Sequence, residues 1–163
     1  MYIKLIQPKM KKRPMDTDIK THMSPPLGLL TVVNMLRGEH TVVLENENIE
    51  PIHYDKPDLV GISITVDVLP RAIEIAKRFR EQGCTVVAGG IHITTAADTI
   101  PENCFDVLCV GAAEGPWPDI IKDYQNGTLK PIYHCNKKLT GRDLVPPAYD
   151  FIDKKNTSCC SNY

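Results

Sequence analysis

Hydrophobic positions along the chain fall into two textures. Tyr2–Pro8 alternates apolar and polar residues ahead of a proline, as a first strand does. His40–Glu45, Pro57–Thr65, Thr85–Thr94 and Phe105–Gly111 are short, nearly continuous apolar runs, which predict buried strands. Between the runs the period changes. Leu29, Leu30, Val33 and Leu36 recur at helical spacing, with Pro25 and Pro26 at the start and Gly38 as a stop. Ala72, Ile73, Ala76 and Phe79 mark an amphipathic helix over Leu69–Gln82, closed by Gly83. A weaker helix is predicted at Thr95–Ile100 and a last one at Trp117–Tyr124, stopped by Asn126-Gly127. Residues 9–24 show no apolar period and read as a long loop, while 46–56 carry a short helical turn at most.

Strands alternating with helices, the strands apolar throughout, mean a parallel sheet covered on both faces. With right-handed crossovers, five strands most simply give an α/β, flavodoxin-like, doubly wound five-stranded parallel sheet of order 2-1-3-4-5. Residues 1–128 form this domain. The chain then turns rich in Pro, Lys, Asp and Asn, which predicts an extended connector over 129–163 leading away from it.

Composition narrows the classes. The 163 residues carry a formal net charge of −1 with both signs dispersed, which argues against an electrostatic nucleic-acid binder. The basic cluster Lys9–Arg13 is broken by Met10 and reads as a solvated loop. No run approaches the roughly 20 apolar residues of a membrane span, and the start lacks a secretory pattern, so a cytoplasmic protein without membrane contact is expected. Of six cysteines, Cys84, Cys104 and Cys109 fall in or beside apolar runs and are expected to be buried free thiols.

The candidate chemistry gathers at strand ends. Thr85-Val-Val-Ala-Gly-Gly-Ile-His-Ile-Thr94 ends its apolar run in paired glycines, and ligands of open parallel sheets sit at the carboxyl ends of strands. Gly89 and Gly90 therefore read as the floor of a crevice, although a plain strand-to-helix turn needs the same residues. Several tenants of such a crevice lack their residues. A phosphoacceptor site needs acidic residues after the first strand and an aspartate ending the third, where Gln7-Pro8 and Ser63-Ile64-Thr65 stand. The first turn has no Gly-x-Gly-x-x-Gly, no Walker loop and no hydroxyl-rich flavin phosphate loop. What remains is a rim of small neutral groups: Gly28, Ser63, Thr65, Gly89, Gly90, Thr94 and Gly111 to Gly115. Such a rim suits a large apolar macrocycle bearing amides better than a polyphosphate, though each residue is also an ordinary turn former.

Six pieces, in order, carry a resemblance: Ser24-Pro-Pro-Leu-Gly-Leu-Leu30, Asp58-Leu-Val-Gly-Ile-Ser-Ile-Thr65, Val87-Ala-Gly-Gly-Ile-His-Ile-Thr94, Val110-Gly111 with Glu114, Trp117-Pro118, and Asp143-Leu-Val-Pro-Pro147. Each piece alone is weak; their order and spacing carry the likeness. Over essentially its whole length the chain resembles the N-terminal cobalamin-binding domain of cobalamin-dependent radical S-adenosylmethionine enzymes. More remotely it is similar to the cobalamin module of methionine synthases and mutases. That module's Asp-x-His-x-x-Gly would place its acid and imidazole at Met23 and Pro25 if Gly28 is its glycine; His22 is out of register.

The resemblance implies cobalamin bound base-off, with no protein histidine from the usual motif. It implies cofactor contacts from Pro26 and Gly28 at the first helix, and from Ser63, Thr65 and Val66 after the third strand. Gly89, Gly90, His92 and Thr94 would contribute after the fourth, and Gly111 and Glu114 after the fifth. Cys160 would be the first cysteine of the cluster motif Cys-x-x-x-Cys-x-x-Cys, with the sequence stopping three residues later. One thiolate cannot assemble a cluster. The expectation is therefore a cofactor-binding piece, not catalytic alone, whose partner is the parent's radical S-adenosylmethionine barrel. S-adenosylmethionine, the 4Fe-4S cluster and the small-molecule substrate would belong to that parent. The alternative is a degenerate flavodoxin-like docking or substrate-recognition domain that binds no cobalamin.

Overall fold

Alternation of apolar residues on both faces of every strand needs helices on both sides, and the chain provides them. A computed structural model describes residues 1–11, 25–136, 138 and 140–151. The strands are β1 (Tyr2–Gln7), β2 (Thr41–Asn46), β3 (Leu59–Ser63), β4 (Thr85–Gly89), β5 (Val107–Val110) and β6 (Ile132–His134). Helices α1 (Leu27–Leu36), α2 (Leu69–Glu81), α3 (Ile91–Ala96) and α4 (Pro116–Asn126) connect them, with 3-10 turns at Ala97–Thr99 and Tyr149–Phe151. All strands are parallel, in the order β2-β1-β3-β4-β5-β6. This is the flavodoxin-like α/β arrangement, with one strand more than the five predicted. Among the described residues no helix is long and apolar enough to cross a membrane.

Two cores sandwich the sheet. On one face α2 buries Ala72, Ile75, Ala76 and Phe79, and α3 buries Ile93, against Ile6, Val60, Ile62, Val86 and Ala88. On the other, α1 and α4 pack Leu29, Val32, Val33, Trp117 and Ile120 against Ile3, Leu5, Leu59, Val87, Val107 and Cys109. Among the described residues, the second face has these two helices over six strands. They cover its flanks and leave the carboxyl halves of β3 and β4 between them open.

Two boundaries differ from the sequence reading. The fourth strand stops at Gly89, and Ile91-His-Ile-Thr94 is helical instead of extended. Gly90 causes this: at φ +103°, ψ −177° it takes a conformation open essentially to glycine alone and turns the chain out of the sheet. The predicted connector is also structured in part. β6 adds to the sheet edge beside β5, and residues 146–150 lie across α1. There the Ala148 amide donates to the Leu30 carbonyl (3.1 Å), Asn34 Nδ2 donates to the Pro146 carbonyl (3.0 Å), and Arg37 pairs with Asp150 (2.6 Å). Tyr133 and Ala148 are both buried in the α1/α4 core.

One buried charge stands out. Lys4, 1% exposed in the middle of β1, donates to Glu45 Oε1 (2.9 Å) and the His53 carbonyl (2.6 Å) and pairs with Asp55, which also accepts from the Tyr2 hydroxyl. Its ammonium is fully paired, which is what makes its burial tolerable.

Candidate functional site

Side chains alternate across a strand, so every second residue of β3, β4 and β5 faces the open part of the α1/α4 side. Those positions are Gly61 and Ser63, Val87 and Gly89, Cys109 and Gly111. A stripe of such small residues leaves a hollow where larger ones would fill it. Helix α1 adds Gly28, Thr31 and Val32, at the i, i+3, i+4 spacing of one helix face, and the turn into α4 adds Ala112, Ala113 and Glu114. Together they enclose a cleft of about 450 Å³ at the carboxyl ends of the strands, within the usual range for small-molecule sites.

Its floor is fixed by packing. A methyl group at Gly61 would lie 2.7 Å from Leu5 Cδ2 and 3.0 Å from Trp117 Cζ2, so the glycine lets the indole lie against the sheet. Cys109 also faces the floor. Burial pushes its thiol up to about 12, with Cys135 nearby adding to the shift, so it is a neutral, unreactive wall. At the mouth, a methyl group on Gly28 would meet nothing within 4 Å.

The rim is stitched by hydrogen bonds between loops. Thr94 Oγ1 donates to the Gly90 carbonyl (3.0 Å) and accepts from the Gly111 amide (3.1 Å), joining the β4 and β5 turns. The Ile64 amide donates to the Gly89 carbonyl (2.8 Å), and the His92 amide to the Ile64 carbonyl (3.1 Å). Gly90 packs so tightly on this stitch that a Cβ would stand 2.7 Å from both the nitrogen and the oxygen of Ile64. By contrast, a Cβ on Gly89 would meet nothing closer than 3.7 Å, an ordinary contact with Cys109.

Of the residues singled out from sequence, Gly28, Ser63, Gly89, Gly90, Thr94, Gly111 and Glu114 line the cleft together. Pro26, Thr65, Val66 and His92 are not among its lining residues. Thr65 donates instead to Asp67 Oδ1 (2.5 Å), Val66 is 71% exposed, and His92 sits in the first turn of α3. Cys159 and Cys160 lie outside the described residues, as do His22, Met23 and Ser24. Cys84, Cys104 and Cys109 are free thiols, Cys84 and Cys109 buried and Cys104 half-buried. Among the described residues no group of three or more His, Cys, Asp or Glu is placed to hold a metal ion.

Sequence reasoning missed the helical wall and the floor. Thr31 and Val32 share the face of Gly28, and Trp117 is the single tryptophan of the chain. The spacing from Gly28 was the available signal for the first two. Nothing local announces that Gly61 admits an indole.

The described cleft is nearly free of charge: Glu114 is the one charged side chain lining it. Neither its carboxylate nor the Ser63 hydroxyl makes a hydrogen bond or ion pair among the described residues. The arrangement can seat a bulky, largely apolar ligand and offers acceptors to its N–H groups.

No protein-family model matches the chain. Among curated proteins it is similar to the bacteriochlorophyllide d C-8(2)-methyltransferase of Chlorobaculum tepidum, 34% identical over 141 residues covering 85% of this chain and 31% of that protein. It is also similar to the C-12(1)-methyltransferase of the same organism, 26% identical over 90% of this chain and 32% of that protein. An uncharacterized methyltransferase of Pyrococcus horikoshii is 27% identical over 78% of this chain and 34% of its own length. The chain thus spans about a third of the length of these relatives, all of which are named methyltransferases.

Proposed function

We propose that this chain is the corrinoid-binding part of a cobalamin-dependent radical S-adenosylmethionine methyltransferase and has no activity alone. The observation that carries the reading is the nearly uncharged cleft at the carboxyl ends of β3, β4 and β5, walled by small residues at alternate strand positions. The similarity to named methyltransferases supports it from outside the fold.

The residues present fit such a cofactor. Open space at Gly28 and the loosely contacted Gly89 position leave room for a bulky ligand against backbone, whereas Gly111 is small because Cys135 packs on it. The unpartnered Ser63 hydroxyl and Glu114 carboxylate supply acceptors for amide N–H groups. When bound, the cofactor would supply a methyl group for transfer to a substrate radical, and the chain's own task would be to bind and orient it. S-adenosylmethionine, a 4Fe-4S cluster begun by Cys160, and the substrate would lie with the barrel of the longer protein.

One observation favours the competing reading, a docking module without cofactor. Gly90, half of the glycine pair, is required by the Ile64 backbone with no ligand involved. The test is to mix the purified chain with hydroxocobalamin, desalt it and record the visible spectrum. Near-stoichiometric corrin absorbance is expected, reduced about tenfold in Gly28→Leu, whose side chain enters the open mouth. A folded wild-type chain that retains no corrin sinks the cofactor reading and leaves the docking module.

A further inference from the structure

We infer that Glu114 makes the cleft selective for the charge state of a corrinoid's edge, admitting carboxamide-bearing corrinoids and rejecting carboxylate-bearing ones. The inference rests on the corrinoid reading of the cleft and adds the chemical class that the cleft accepts.

Three observations lead to it. Glu114 is the one charged side chain among the described residues that line the cleft. It is half-buried, and its carboxylate has no hydrogen-bond or ion-pair partner among the described residues. The other described residues lining the cleft carry no charge that could neutralise it. A carboxylate in such surroundings is best satisfied by an N–H donor, and charge-assisted hydrogen bonds of this kind are about twice as strong as neutral ones.

The start of α4 bears on the same point. A helix N-terminus would ordinarily attract an anionic ligand. Here the chain places its own acids there, Glu114 two residues before the first helical residue and Asp119 within the first turn. An incoming anion would meet carboxylates at a helix end already supplied with negative charge. Glu114 is half-buried, so water screens the repulsion only in part. A primary amide at the same place gains a hydrogen bond and meets no repulsion, so discrimination of about tenfold or more is expected.

The experiment compares tail-less corrinoids that share one chromophore. Purified chain is titrated with dicyanocobinamide, whose side chains end in amides, and with dicyanocobyrinic acid, whose side chains end in carboxylates; hydroxocobalamin is the reference. The wild-type chain is expected to bind the amide form at least tenfold more tightly. The ratio should fall toward one in Glu114→Gln and persist in Glu114→Asp, and it should narrow for wild type as salt rises from roughly 0.05 to 0.5 M, where the Debye length falls several-fold. Equal binding of both forms by wild type overturns the inference, as does an unchanged ratio in a folded Glu114→Gln. If Glu114→Gln does not fold, the wild-type salt series and Glu114→Asp decide the matter alone. Loss of all three corrinoids, hydroxocobalamin included, overturns the corrinoid reading itself and is thereby distinguishable.

Discussion

Replacing Gly90 by alanine asks whether the paired glycines serve the ligand or the fold. The added Cβ would stand 2.7 Å from both the nitrogen and the oxygen of Ile64, and backbone atoms cannot rotate aside as a side-chain tip can. The φ of +103° is itself unfavourable for alanine, by about 1–3 kcal/mol. Relief requires moving Ile64, which weakens its bonds to the Gly89 carbonyl and the His92 amide, each contributing about 1 kcal/mol net. A loss of roughly 3–5 kcal/mol follows from these magnitudes together. In a chain of 163 residues that lowers the melting temperature by about 10 °C. Gly89→Ala is the matched control. Its methyl group meets Cys109 at an ordinary 3.7 Å, so it should cost less than about 1 kcal/mol while narrowing the cleft. Thermal and urea unfolding followed by circular dichroism measure both. A Gly90→Ala chain melting within about 2 °C of wild type, or a Gly89→Ala chain that melts lower than it, would refute the assignment of Gly90 to the fold.

Lys4→Met leaves the buried Glu45 carboxylate with only the His53 groups. The loss should be about 3–5 kcal/mol, read by urea unfolding, and Lys4→Met with Glu45→Leu should recover much of it. Burial pushes the Glu47 carboxyl up, but hydrogen bonds from Arg71 and the Lys9 amide pull it further down, so it sits below the usual glutamate value. Its contribution is therefore complete above the unfolded pKa of roughly 4.3 and disappears as pH falls through the lower folded value. Glu47→Gln should lose less stability than wild type between roughly pH 4.5 and 3 in acid titrations, and an identical acid slope would contradict this. Cys109, pushed up to about 12, should resist iodoacetamide at pH 8 in the native chain and react once unfolded, as peptide mass spectrometry will show.

Long-period features were legible in the sequence, and features settled by contacts were not. Helix α2 was predicted over Leu69–Gln82 and runs Leu69–Glu81, because Ala72, Ala76 and Phe79 and the closing Gly83 all point the same way. The third and fifth strands announced themselves as apolar runs for similar reasons. Ile91-His-Ile-Thr94 misled because its alternation continues the strand, whereas the conformation of Gly90 ends it. β6 is three residues long with one buried side chain, Tyr133, too little pattern to separate from a polar connector. In the cleft, the glycines and Ser63 were visible as small residues at strand ends. The opening between α1 and α4 was not, because it depends on which strands the two helices leave uncovered.

The stretch from Pro131 to Asp150 has a bearing on how this molecule should be handled. The phenol of Tyr133 donates to Asp123 on α4 at 2.7 Å, and Ala148 fills the layer behind α1. Trimming the chain after Thr128 would punch two holes in that layer, each costing on the order of a few kcal/mol. It would also strip the protective strip from β5, baring a ladder of N–H and C=O groups to any other molecule with a free edge. Shortened versions should aggregate before they merely melt, and a soluble minimal version needs its tail at least as far as Asp150.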